Sequence, residues 1–344
     1  MLRFVFSALA LCVASLVPYA RSAETFQLIS AKKIWHGAAH NAFTDLIRFH
    51  GKWFCVFRES QAHVGGNGRI RALASPDGDE WKSAALLNEE GIDLRDPKIS
   101  STPDGRLMIV MGGSVYAGKT LKERQSRVAF SNDGSHWSAP HRVLAKGDWL
   151  WRVTWNGGKA YGFSYGSTAS SPAGKPHSKG MAVQLVESDD GISYRRIAAL
   201  DVPGSPNETT LRFGPGGQCI ALARREAGDR QAWIGSSHAP YTDWHWHAAG
   251  LFIGGPDFSV LPNGAMVASG RELDAQPHHG ARTFVGTMTL DKVTPALVLP
   301  SGGDCSYPGM VWQDGILWIS YYSSHEGATD IYLAKVKMSP EPKP

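Results

Sequence analysis

The sequence predicts an all-β protein, a six-bladed β-propeller of four-stranded antiparallel sheets whose ring is closed by an N-terminal strand. Three observations carry this. The 344 residues include 38 Gly, 20 Pro and 12 Trp. That Gly and Pro content is above average but too low and too aperiodic for collagen or low-complexity disorder, and the aromatics suit many short strands or sugar-stacking surfaces. Second, Ser75-Pro76-Asp77-Gly78-Asp79-Glu80-Trp81 recurs as Ser131-Asn132-Asp133-Gly134-Ser135-His136-Trp137 and as Ser188-Asp189-Asp190-Gly191-Ile192-Ser193-Tyr194, with the serines 56 and 57 residues apart. A worn copy runs over 237–244, 49 residues further on. Third, a short strand-like segment precedes each copy (70–74, 127–130, 183–187, 232–235), and 283–288 and 331–336 extend the series without the turn, making six units of about 50 residues. In such a turn Asp accepts backbone N–H groups, Gly allows a positive φ, and the aromatic packs back beneath.

Four strands fit in each unit, with the turn between the third and fourth. The first unit takes 43–49, 53–57, 69–74 and 81–86, and the second 97–101, 107–112, 127–130 and 137–144. The third takes 151–155, 160–164, 182–187 and 194–199, and the fourth 209–213, 218–223, 232–235 and 244–248. The fifth takes 258–261, 265–268, 283–288 and 297–299. The sixth has only 310–312, 316–321 and 331–336, so its missing strand is expected from Phe26 to Ile34, which would close the ring and remove open sheet edges.

Met1-Leu2-Arg3, an apolar run from Phe4 to Val17 and Ala20-Arg21-Ser22 read as a cleavable signal peptide over 1–23, which implies a secreted or periplasmic protein. The propeller then spans 24–338 and a tail 339–344. No stretch is long enough to cross a membrane as a helix. Losing Arg3 and Arg21 takes the formal charge from 35 − 31 = +4 to 33 − 31 = +2, and no basic stripe suggests nucleic acid. Cys55, Cys219 and Cys305 read as buried thiols. No Cys/His set has zinc spacing and no EF-hand loop is present, so no metal or cofactor is expected. A monomer is expected.

The Ser-Asp-Gly turns all lie at one end of the sheets. The opposite face, built where first strands begin and second strands end, should carry the site. Arg58-Glu59, Arg225-Glu226 and Arg271-Glu272 recur at the ends of second strands. Either these arginines converge on the axis to bind a carboxylate or sulfate, or they pair between blades on the rim.

The turn motif resembles the Asp box of the sialidase (neuraminidase) superfamily, with one residue fewer between Asp and Gly. The resemblance implies a propeller that binds a sugar carboxylate with three arginines and uses a Tyr nucleophile assisted by a Glu. Asn207-Glu208, Gly216-Gly217-Gln218 and the strand to Arg224 are similar to the family's Glu–Gly–strand–Arg segment. Glu208 then falls in the helper position, with Arg224 or Arg225 as the second arginine. Arg282 resembles the third, with Arg271 as its competitor. Ser306-Tyr307-Pro308 is similar to the nucleophile segment, and Glu326 falls where a family Glu orients the first arginine. Arg95-Asp96-Pro97 resembles the Asp-Pro element that lines the pocket.

Two elements depart from the family pattern. No arginine stands near residues 42–45, though Arg58 is a substitute, and the loop 59–67 lacks an Asp, leaving His63 or Glu59 as acid or base. The sequence therefore points to a sialidase-like exo-glycosidase releasing a terminal acidic sugar. Its catalytic set is Tyr307, Glu208, His63 and Asp96, and its substrate-binding set is Arg58, Arg95, Arg224, Arg225, Arg271, Arg282 and Glu326. The alternatives are a polysaccharide lyase acting on uronic-acid-containing glycans and a non-catalytic glycan-binding propeller.

Overall fold

The computed structural model describes residues 25–166, 181–273 and 280–339. The expected signal peptide and all but the first residue of the tail lie outside them. The described residues form six four-stranded antiparallel blades in a ring. Blade I contains β2 (His40–Phe49), β3 (Lys52–Ser60), β4 (Arg69–Ser75) and β5 (Lys82–Leu87). Blade II contains β6 (Asp93–Ser101), β7 (Leu107–Ala117), β8 (Thr120–Ser131) and β9 (His141–Val143). Blade III contains β10 (Trp149–Asn156), β11 (Lys159–Gly166), β12 (Ala182–Ser188) and β13 (Arg195–Leu200). Blade IV contains β14 (Pro206–Phe213), β15 (Cys219–Arg225), β16 (Trp233–Ser237) and β17 (His245–Ala248). Blade V contains β18 (Gly254–Val260), β19 (Met266–Leu273), β20 (Ala281–Met288) and β21 (Val293–Val298). Blade VI contains β22 (Cys305–Gln313), β23 (Ile316–Glu326), β24 (Ala328–Ser339) and β1 (Thr25–Trp35).

The ring closes as expected: β1 runs antiparallel to β24 from Thr25 opposite Ser339 to Trp35 opposite Ile331. Lys33 bridges buried Asp330 at 2.8 Å, and the Trp35 indole donates to Glu59 of blade I at 2.8 Å. The core lies between neighbouring blades. Phe54, Val56, Ile70 and Ala72 of blade I, for example, pack with Leu94, Ile109, Met111 and Ala129 of blade II.

The three Ser-Asp-Gly turns share one geometry. The Gly78, Gly134 and Gly191 N–H groups donate to the serine hydroxyls at 2.8, 2.8 and 2.9 Å. Asp77, Asp133 and Asp190 each accept two further backbone N–H groups. Trp81 and Trp137 donate back to Gly78 and Gly134. The worn copy keeps only the last bond, from Trp244 to Tyr241.

First strands begin two to five residues earlier than expected, and the reason is a repeated irregularity. Every one of the six first strands carries a bulge where two residues face one, at 43–44, 96–97, 151–152, 207–208, 255–256 and 307–308. A bulge breaks strand alternation and re-aims side chains. Stretches such as Asp93–Pro97 therefore read as loops in the sequence although they are strand. Phe43, Asp96, Gly255 and Tyr307 hold positive φ at the bulge, and three of these are not glycine. Positive φ at bulky residues costs about 1–3 kcal/mol each and persists only where surrounding packing enforces it.

Candidate active site

The six bulges meet around the axis and supply the site. Tyr307 from β22 donates its hydroxyl hydrogen bond to Glu208 Oε1 on β14. Arg224, at the end of β15, donates to Glu208 Oε2 at 2.8 Å and to the Tyr307 oxygen at 3.2 Å. The Gly255 N–H donates to Glu208 Oε2 at 2.9 Å. Gly255 is required twice over: its φ is +57°, and a Cβ there would lie 2.5 Å from Tyr307 Cδ2. Burial first, then the Glu208 charge, push the Tyr307 phenol well above its ordinary range. Burial would also raise Glu208, but Arg224 and the Tyr307 hydroxyl outweigh it and hold this carboxyl below its usual range. The resting pair is thus phenol plus carboxylate.

Around the trio stand Tyr165, Trp151, Phe43 and Lys98. The Trp151 and Phe43 rings lie 5.6 and 5.0 Å from that of Tyr307. Lys98 sits 5.6 Å from the Tyr307 ring and 4.9 Å from that of Trp151, and donates to Thr44 O at 2.8 Å. Its burial, and then the Arg152 charge, push its ammonium down to about 8. The Tyr165 phenol is raised by burial and then by the charges of Glu208 and Asp96.

Asp96 belongs to the same hub. It is half-buried, but its Oδ1 is shielded from solvent and has no hydrogen-bond partner among the described residues. Burial raises its carboxyl, with Arg95 opposing and Glu208 adding to the rise. Arg95 lies 5.0 Å from the Phe43 ring and donates to His63 O at 2.8 Å. His63 Nδ1 is 2.6 Å from Asp304 Oδ2, and its ring stands edge-on to Phe43 at 5.2 Å. Arg271 lies 5.7 Å from the Tyr307 ring and donates to Cys305 O and to the Tyr322 hydroxyl, at 2.7 and 2.9 Å.

Four residues of the expected substrate-binding set lie elsewhere. Arg58 is wholly buried and spends its donors on Asp93, at 2.7 and 3.0 Å, and on Ala62 O. It anchors the β3–β4 loop to blade II. Arg225 follows Arg224 on the strand and so faces the other way. It donates to Pro203 O and Gln231 O and lies 4.8 Å from the Trp233 ring. Arg282 is on a third strand, away from the hub, opposite Glu272 and 3.0 Å from it. Glu326 is half-exposed and pairs with Lys33 of the closing strand at 2.8 Å rather than with a pocket arginine. Two of the three recurring arginines therefore latch blades: Arg58 reaches Asp93 of the next blade, and Arg271 reaches Asp304 of the next, whereas Arg225 pairs with Asp229 of its own loop.

Beneath the hub, Arg152 bonds Asp45 at 2.8 and 2.9 Å, and Asp257 pairs with Arg152 and Arg212 at 3.3 and 2.7 Å. Beyond this charged plug a separate recess of about 260 Å³ opens, lined by Asp45, Ile47, Ser101, Thr154 and Arg212 among others. None of the trio reaches it.

In overall structure the chain is similar to a Dyadobacter fermentans protein of unknown function (TM-score 0.76, 19% identity, 91% of this chain and 99% of that one). It is also similar to Trypanosoma rangeli sialidase in complex with the inhibitor DANA (TM-score 0.67, 11% identity, 87% of this chain and 55% of that one). The shared fold is the six-bladed β-propeller. A Fusarium graminearum α-L-arabinofuranosidase shares it (TM-score 0.70, 13% identity, 90% of this chain and 98% of that one). At these identities the likeness is one of fold, and the chain spans little more than half of the sialidase. No protein-family model matches the chain. No curated protein matches it in sequence.

Sequence reasoning missed Lys98, Tyr165, Trp151, Asp304 and Tyr322 as members of the hub surroundings. The first and third lie on the first strands whose bulges hid them. Tyr165 and Tyr322 end second strands, the position already examined for arginine, and the same periodic signal would have found them. Among the described residues no helix is long and apolar enough to cross a membrane.

Proposed function

We propose that this chain is a retaining glycoside hydrolase that releases a terminal acidic sugar from a glycan, with Tyr307 as nucleophile. The observation that carries this reading is the buried Tyr307–Glu208–Arg224 trio at the hub. A phenol of raised pKa cannot wait as phenolate, so its proton passes to Glu208 as its oxygen attacks the anomeric carbon. The bond to the leaving oxygen breaks as Asp96, the raised carboxyl of the same hub, protonates it. Water then attacks the glycosyl–tyrosine carbon, ionised Asp96 takes the water proton, and Glu208 returns its proton to the departing phenoxide.

A neutral phenol brings no charge against an anionic sugar, which favours the acidic class, and Arg224 and Arg271 flank Tyr307 within the hub while Arg95 lies against the neighbouring Phe43 ring. The solved sialidase and arabinofuranosidase structures support the glycosidase class at the level of fold. The basic and then apolar N-terminus supports action outside the cytoplasm.

The test is a panel of aryl glycosides carrying sialic acid, a uronic acid and arabinofuranose, run beside an absorbance assay for unsaturated uronate ends. Aryl release from an acidic sugar with retention of configuration is expected. Release from arabinofuranose alone would overturn the substrate class, and unsaturated product would make the protein a lyase. Glycan binding without turnover on any member would leave a non-catalytic propeller.

A further inference from the structure

We propose that His40, His63 and Asp304, at the junction of blades VI and I, form a binding site for a divalent transition ion of the zinc type. Their ligand atoms all lie within 4.8 Å of one another. His40 opens β2, His63 stands in the β3–β4 loop and Asp304 immediately precedes β22. The sequence showed no ligand spacing because these residues lie far apart in the chain, and the ring alone brings them together.

The geometry is that of a convergent ligand set. His40 Nε2 and His63 Nδ1 lie 2.9 and 2.6 Å from the same oxygen, Asp304 Oδ2. The two rings are 5.3 Å apart and inclined at 78°, edge to face rather than stacked. His40 is only 7% exposed, and its Nδ1 has no partner among the described residues, so its polar contact is made here. The other oxygen of Asp304 accepts from the Tyr322 hydroxyl at 2.9 Å and lies 3.4 Å from Arg271 Nη2. Outer partners of this kind hold a ligating carboxylate in place. Ion-to-ligand distances of about 2.0–2.2 Å put tetrahedral neighbours about 3.3 Å apart. Each imidazole nitrogen would therefore move roughly half an ångström away from the Asp304 oxygen.

Two imidazoles and one carboxylate suit Zn²⁺, Co²⁺ or Ni²⁺. Calcium and magnesium, which take six or more oxygens, fit poorly. Three protein ligands leave a fourth position for water or for an oxygen of a bound molecule. Phe43 touches both the His63 and Tyr307 rings, at 5.2 and 5.0 Å, so the ion would sit on the rim of the hub. Binding of the ion does not depend on the hydrolase reading.

The test is calorimetric titration of the purified chain with Zn²⁺ and Co²⁺ alone. One ion per chain is expected, with affinity at least tenfold weaker in His40→Ala, His63→Ala and Asp304→Asn and unchanged in the control His247→Ala. X-ray absorption of the Zn²⁺-loaded native chain keeps the result independent of whether the variants fold, and should show two imidazoles in the first shell. No stoichiometric binding, binding that survives His63→Ala, or a first shell without imidazole would overturn the proposal.

Discussion

Replacing Glu208 with Gln separates Tyr307, the proposed nucleophile, from its proposed base while leaving the hub filled. The Gly255 N–H keeps an acceptor, and Arg224 keeps Glu226. What disappears is the group that takes the Tyr307 proton. The nucleophile must then be phenolate formed beforehand. The ordinary phenol pKa is about 10, so at pH 7 no more than about one phenol in 10³ is ionised. Burial, the largest cause of the raised Tyr307 pKa, remains in the variant although the Glu208 charge does not, so an ordinary phenol sets the scale. The expected loss is about 10³-fold in kcat, or about 4 kcal/mol of activation free energy at 1.36 kcal/mol per decade. KM should change little, because the lost interaction acts on the chemical step. The assay is steady-state release of the aryl group from whichever glycoside the native chain cleaves, with retained near-ultraviolet circular dichroism as the fold control. A variant within tenfold of native kcat would refute the role of Glu208 as base.

Tyr307→Phe should abolish turnover while leaving ligand binding measurable by calorimetry; full activity would remove the nucleophile. Activity should rise as pH climbs through the depressed Glu208 pKa and fall as it climbs through the raised Asp96 pKa, giving a bell whose basic limb vanishes if Asp96 is not the acid. The stability signs follow: the Asp96 contribution is present below about pH 3.9, its unfolded pKa, and is lost as pH rises through the folded value, whereas the Glu208 contribution is present above about 4.3 and is lost as pH falls through its folded value. Asp96→Asn should therefore be inactive yet no less stable than the native chain at pH 7, as read from the urea midpoint. Gly255→Ala adds a Cβ at positive φ against the Tyr307 ring and should cost about 2–4 kcal/mol of stability by the same measurement. Arg58→Ala leaves buried Asp93 with Arg95 as its remaining ion-pair partner beside the Gly68 N–H and should cost about 3 kcal/mol without a matching fall in kcat of the folded fraction.

Much of the architecture was legible because it rests on local chemistry. The Ser-Asp-Gly turn is built within seven residues, and the same hydrogen bonds form in all three copies. The pairing of Tyr307 with Glu208 was legible through resemblance, since each carried its own short signature. Arginine roles were not legible in this way. Arg224 and Arg225 are adjacent, and only strand alternation decides that the first faces the axis. The recurring Arg-Glu pairs looked convergent because their repeat is real, but the three arginines diverge: Arg58 latches Asp93, Arg225 stays within its own blade, and Arg271 stands beside Tyr307. Glu326 was misplaced because the strand it pairs with, β1, comes from the far end of the chain.

The sequence by itself determined the all-β class, the six-fold repeat and the closing strand, and resemblance pointed to the phenol and its carboxylate, because each leaves a signature over a few neighbouring residues. Only the tertiary structure decided which charges meet. Bulges hide in alternation patterns, and partners such as His63 and Asp304 lie in different blades. Their encounter, and the pKa changes that burial imposes on them, exist only once the ring is shut.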